Sequence, residues 1–229
     1  MDLLVTGMHR SGTSAVSGLL AAAVNSTLLD DPDWAIRTPL MYRSDKSKYT
    51  QLEEFDIVKC PRMGGFSRVV AADFPTVRMI WMLRDPRDVA ASILEKVRRG
   101  HWTSMLTFPE LGLSEYGLEI FAVAFQRYME ELMMVLDDCR ERICVIDYNR
   151  FFVEKEQTIA HLASWIGKSP DFRFSSDLWD KQLGPLKHKF EGIRGPERYK
   201  TDLNKSELTL LETPISMWQH ALRHASRTF

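Results

Sequence analysis

Gly7-Met8-His9-Arg10-Ser11-Gly12-Thr13-Ser14 brings two glycines, three hydroxyls and a cation together near the start of the chain. The spacing is Gly-x4-Gly, the spacing of a phosphate-binding loop. Backbone N–H groups in such a loop, with the start of a following helix, hold an anionic oxygen cluster. Thr13 stands where a nucleoside-triphosphate loop carries its lysine. The positive charge lies inside the loop instead, on Arg10 with His9 beside it. That placement suits one 5′-phosphate with a cation over a bridging oxygen better than a Mg²⁺-bound β,γ-diphosphate. Ser11, Gly12, Thr13 and Ser14 complete the cradle.

A second anion site is written in Arg84-Asp85-Pro86-Arg87-Asp88-Val89-Ala90-Ala91-Ser92. Arg84 ends an apolar run, at the strand end where open α/β sheets bind ligands. Ser92 follows eight residues later on the helix that Pro86 can open. A guanidinium and a hydroxyl make a pair for a phosphate. Asp85 and Asp88 suit the helix start as caps, and Arg87 reads as an exposed helix residue. Further on, residues 181–200 hold Lys181, Lys187, Lys189, Arg194, Arg198 and Lys200 against Glu191 and Glu197 among several glycines and prolines. Such a basic loop can close over a charged nucleotide.

Together these segments resemble the sulfotransferase family that uses 3′-phosphoadenosine 5′-phosphosulfate (PAPS). Arg10-Ser11-Gly12-Thr13-Ser14 is similar to its 5′-phosphosulfate loop, a basic residue followed by Ser-Gly-Thr-Thr/Ser. Arg84, Pro86, Asp88 and Ser92 are similar to its 3′-phosphate motif. Ile193-Arg194-Gly195 resembles the family's late Arg-Lys-Gly segment without the lysine. The resemblance implies PAPS as donor, 3′-phosphoadenosine 5′-phosphate (PAP) as product, no metal, and donor contacts from His9 to Ser14, Arg84, Ser92 and Arg194. Arg10 would steady the leaving phosphate. The family's Lys-Thr-His base segment becomes Lys59-Cys60-Pro61, with proline at the histidine's place. Lys59 remains a candidate for the sulfuryl group. Asp31 and Asp33 become the candidates for the base, with His101, His188 and Glu54 behind them.

Two other readings compete. Val145-Ile146-Asp147-Tyr148 resembles a Walker-B strand, with Asp147 on Mg²⁺ in a kinase or NTPase; the missing lysine argues against it. A non-catalytic relative would bind the nucleotide without turnover.

The elements that position these residues follow from periodicity. Residues 3–5, 56–60, 77–83 and 142–148 read as strands, the third as one buried on both faces. Helices are expected over 13–23, 88–99, 116–136 and 153–166. A last helix is capped by Asn204, interrupted at Pro214 and reaches about 224. Leu28-Leu29 reads as the lead-in to an acidic turn. The alternation implies an α/β fold: a P-loop-type parallel sheet with helices on both faces, a basic C-terminal lid and a helix, in one domain over 1–229.

Composition agrees with an ordinary globular chain: 229 residues, 45% hydrophobic, 27% charged and net charge −1. That balance excludes the molecule as a whole as an electrostatic partner of nucleic acid or membrane. Cys60, Cys139 and Cys144 form no CxxC pair and no zinc spacing. No secretion signal or membrane-length apolar run is seen, so a cytoplasmic location and a small-molecule or natural-product acceptor are expected. Oligomeric state has no signal in the sequence.

Overall fold

The computed structural model describes residues 1–31, 52–98, 108–113, 117–172 and 196–225. Five parallel strands lie in the order β2-β3-β1-β4-β5. They are β1 (Leu3–Gly7), β2 (Leu28–Asp30), β3 (Ile57–Lys59), β4 (Arg78–Leu83) and β5 (Ile143–Asp147). β1 is central, and its neighbours carry the two other segments singled out above, Lys59 on β3 and Arg84 just past β4.

Successive strand side chains point to opposite faces, so each strand feeds two cores. Leu4, Val58, Met79, Trp81, Leu83 and Val145 pack on one face with the long helix α4 (Leu118–Cys139). Helices α2 (Ser67–Asp73) and α3 (Pro86–Arg98) lie on that face too. Leu3, Val5, Ile57, Ile80, Met82, Cys144 and Ile146 pack on the other with α1 (Thr13–Ala23) and α6 (Lys155–Trp165). Helices cover both faces because no strand has a polar side to give to water. The five residues from Met79 to Leu83 are all buried.

Three elements differ from the sequence reading. Leu28–Asp30 is an edge strand rather than a turn, in register with Ile57–Lys59. Three half-exposed residues give no periodicity to read. The helix expected over 153–166 is α6, and an unexpected short helix α5 (Tyr148–Val153) precedes it, parted from it where Glu154 leaves helical geometry at φ −112, ψ 49. The last helix also divides. Asn204 caps α8 (Lys205–Thr209) through a capping box with Glu207, and the chain restarts as α9 (Glu212–Ala225). Pro214 sits in the first turn of α9, where a missing N–H has no partner to lose. Between these regions lies a short helix α7 (Tyr199–Asp202). The basic segment 181–195 lies outside the described residues. Among the described residues no helix is long and apolar enough to cross a membrane.

Candidate functional site

The loop between β1 and α1 is forced into shape by close packing. Gly7 has φ 128, and a Cβ there would stand 2.5 Å from the Met82 carbonyl oxygen of β4. Gly12 has φ 100, and a Cβ there would meet the Tyr148 ring at 2.5 Å. Both positions therefore require glycine. Arg10 also takes a left-handed φ of 70, beside a turn closed by Ser11 N–H to Met8 C=O at 3.1 Å. Gly12 precedes α1 without a side-chain cap, and the first turn holds no acid. The helix start thus keeps its donors for a ligand.

Residues distant in sequence meet at this loop. Arg10 Nε donates to Ser92 Oγ at 3.0 Å, across 82 positions of sequence. Arg84 Nη1 donates to the Arg10 carbonyl oxygen at 3.1 Å. Its guanidinium lies 4.0 Å from the centroid of the Tyr148 ring, a cation–π contact. Burial, then the Arg84 charge, pulls Arg10 below its ordinary value, and burial does the same to Arg84. Two desolvated guanidiniums so close together suit an anion between them. Ser11 Oγ and Arg84 Nε are buried and have no hydrogen-bond partner. Orphaned donors of this kind are costly unless a ligand satisfies them.

Lys59 reaches the same loop from β3. It is 1% exposed. Its Nζ donates to Ser14 Oγ at 3.1 Å, pairs with Asp30 Oδ1 at 2.9 Å and bonds Asp31 Oδ2. Asp31 is thereby a partner of Lys59, and its backbone N–H also bonds the Lys59 carbonyl oxygen at 2.9 Å. The structure brings together His9, Arg10, Ser11, Gly12, Thr13, Ser14, Lys59, Asp31, Arg84 and Ser92. Asp33, Arg194, His101 and His188 lie outside the described residues. Glu54 lies in the chain before β3.

The acids after Arg84 divide. Asp85 caps α3, accepting from Arg87 N–H at 2.9 Å. Asp88 does not. It is 1% exposed and accepts from the backbone of Glu197 at 2.9 Å and Tyr199 at 3.2 Å, which fixes the α7 segment beside the site. Arg87 is no free surface residue either: it pairs with Asp85 and its guanidinium lies 4.1 Å from the Tyr199 ring centroid. Arg198, one of six basic residues in the lid segment, pairs with Glu95 at 2.8 Å and Asp202 at 2.6 Å. Its charge reaches both Arg10 and Arg84.

A third cluster escapes sequence reading. Tyr128 on α4 donates its hydroxyl to Glu110 Oε1 at 2.8 Å and contacts the Pro61 carbonyl oxygen at 3.2 Å. Thr6 Oγ1 donates to the Cys60 carbonyl oxygen at 2.9 Å. These bonds hold the residues that follow Lys59. Burial raises the Glu110 carboxyl above its usual range. No local motif joins positions 6, 61, 110 and 128, so only the fold could reveal them.

Asp147, the Walker-B candidate, accepts from Asn149 N–H at 3.0 Å as the N-cap of α5. Among the described residues no group of three or more His, Cys, Asp or Glu could hold a metal ion. The three thiols are buried, and burial pushes Cys60 and Cys144 up to about 12. They behave as core residues.

Comparison with known proteins agrees with this fold. The sulfotransferase from Alicyclobacillus acidocaldarius shares the fold with TM-score 0.53 at 18% identity, over 95% of this chain and 98% of that one. Retinol dehydratase, in complex with androsterone and inactive cofactor PAP, gives 0.51 at 19%, over 95% and 80%. A mouse sulfotransferase complexed with PAP gives 0.58 at 11%, over 99% and 88%. No curated protein matches the sequence. The sulfotransferase domain family matches residues 1–183, most of the chain, and the chain belongs to that family.

Proposed function

We propose that this chain transfers a sulfuryl group from PAPS to a hydroxyl or amine of a small-molecule or natural-product acceptor, with 1–229 acting as one unit. The carrying observation is the joining of two separate anion motifs. Arg84 and Ser92 both bond Arg10 of the phosphate loop, at 3.1 and 3.0 Å. One cleft then presents a phosphate loop and a second cationic corner, which fits a nucleotide charged at both its 5′ and 3′ ends. The unpartnered Ser11 Oγ and Arg84 Nε fit that ligand as well. Two of the structural relatives carry PAP, which supports the same donor.

In this reading the backbone of residues 7–14 and the hydroxyls of Ser11, Thr13 and Ser14 hold the 5′-phosphosulfate. Arg10 steadies charge on the bridging oxygen as it leaves. Arg84 and Ser92 take the 3′-phosphate, and Arg194 closes over it. Lys59, aimed at Ser14 by Asp30 and Asp31, faces the sulfuryl group. Catalysis by such a site is positioning and charge stabilisation around an in-line displacement. Asp147, engaged as a helix cap, gives the kinase reading nothing further.

The test is turnover of PAPS with a panel of phenols, alcohols and amines. The expected result is release of PAP with the gain of one sulfuryl group on an acceptor. PAP binding without turnover on any acceptor would favour the non-catalytic reading, and phosphoryl transfer from Mg·ATP the kinase reading.

A further inference from the structure

Tyr148 has no part in the roles above, yet it touches both anion-binding corners. Its place follows from strand register. β4 and β5 run parallel with Leu83 beside Asp147, so the next residue of each, Arg84 and Tyr148, leave the sheet side by side. β1 pairs with β4 at Gly7 and Met82, which starts the phosphate loop beside the same strand end. The Tyr148 ring is buried. Its Cδ2–Cε2 side lies so near Gly12 that a Cβ there would stand 2.5 and 2.7 Å from those two atoms. Its face carries the Arg84 guanidinium, 4.0 Å from the centroid. Tyr148 is itself anchored. It opens α5, whose N-cap Asp147 accepts from Asn149 N–H at 3.0 Å, and its ring packs against Phe152 at 6.2 Å between centroids.

We propose that Tyr148 is a positioning residue that sets the span between the two phosphate sites, so that the cleft selects a 3′-phosphate over a phosphate on the neighbouring ribose carbon. This rests on the donor reading of the site. A guanidinium is a planar fork whose N–H groups lie in its plane. With a ring against one face, the Arg84 fork cannot tilt toward that ring. One of its edges is engaged, since Nη1 donates to the Arg10 carbonyl oxygen at 3.1 Å. Nε, buried and without a hydrogen-bond partner, is left for an anion. The ring thus fixes the fork, and Gly12 fixes the ring against the loop that takes the 5′-phosphate.

The consequence is selectivity by position rather than by charge. PAP and its isomer with phosphates at 2′ and 5′ carry the same groups and the same charge. They differ in where the second phosphate falls once the 5′-phosphate is seated in the loop. A mobile guanidinium follows either one. A guanidinium held at a set place relative to the loop gives a full charged hydrogen bond to one and a misaligned bond to the other. Glycine at position 12 is part of this device, because any side chain there would push the ring away.

The test is calorimetric titration of PAP, its 2′,5′ isomer and adenosine 5′-phosphate (AMP) into wild type, Tyr148→Phe, Tyr148→Leu and Arg84→Lys. Wild type should prefer PAP over the isomer by about tenfold or more, the worth of one well-placed charged hydrogen bond. Tyr148→Phe keeps the ring and should keep that ratio within about twofold. Tyr148→Leu should bring the two ligands within about threefold of each other. A tyrosine that merely fills space would weaken both ligands alike and leave the ratio. Should Tyr148→Leu fail to fold by circular dichroism, Arg84→Lys carries the test. It keeps the charge without the planar fork and should also collapse the ratio. A ratio retained in Tyr148→Leu or Arg84→Lys, a ratio lost in Tyr148→Phe, or a wild type that binds both isomers equally but more tightly than AMP would overturn the proposal while leaving the donor site intact. Wild type binding PAP no tighter than AMP would instead overturn the donor reading and this proposal with it.

Discussion

On the β4 flank of the phosphate loop, Arg84 donates to the Arg10 carbonyl and Arg10 to the Ser92 hydroxyl, and Arg84 Nε and Ser11 Oγ face no protein partner. On the β3 flank, Lys59 is surrounded by Asp30, Asp31 and Ser14. Both flanks bury cations at the ends of parallel strands next to the same loop. One retains hydrogen-bonding capacity for an anion; the other is largely neutralised from within. A buried cation whose charge is met by carboxylates is held in place, whereas one left with unused donors is set to receive a ligand. On the proposed reading, the β4 flank is the flank that binds and the β3 flank the one that orients.

Substitutions can separate the two roles. The largest effect is expected for Arg10→Ala. It removes the charge beside the leaving oxygen, and kcat should fall about 10²–10³-fold in initial-rate assays at saturating donor. Arg84→Ala comes next, with PAP affinity falling about 10–100-fold by calorimetry, the worth of a charged hydrogen bond. On the other flank, Lys59→Met leaves two acids without their cation. Asp31 is 38% exposed, so solvent tempers the loss, and about 2 kcal/mol of stability is expected in urea unfolding. PAP affinity should change little in that variant. A PAP affinity as damaged in Lys59→Met as in Arg84→Ala would erase the distinction between flanks. The smallest effect is expected for Ser92→Ala, less than about tenfold in PAP affinity with unaltered stability.

Sequence reading reached what is local. The 7–14 loop and the 84–92 segment each carry their spacing within nine residues or fewer, and the strands beneath them are continuous apolar runs. It stopped where a residue's meaning depends on a distant partner. Asp88 reads as a helix cap because it sits in a first turn, yet it accepts from the N–H groups of Glu197 and Tyr199, 109 and 111 positions away. Tyr128 and Glu110 carry no motif, and only packing of α4 against the segment after β3 makes them a support for Pro61. Asp31 reads as a free acid in a turn; β2 pairing brings it to Lys59.

The most direct measurement is calorimetric titration of PAP and of ADP, without metal and with Mg²⁺, into wild type and Arg84→Ala. The expected result is metal-independent binding in which PAP exceeds ADP by at least about tenfold, with the preference lost in Arg84→Ala. Equal affinity for PAP and ADP, or an Arg84→Ala variant that still prefers PAP, would contradict a 3′-phosphate corner built on β4.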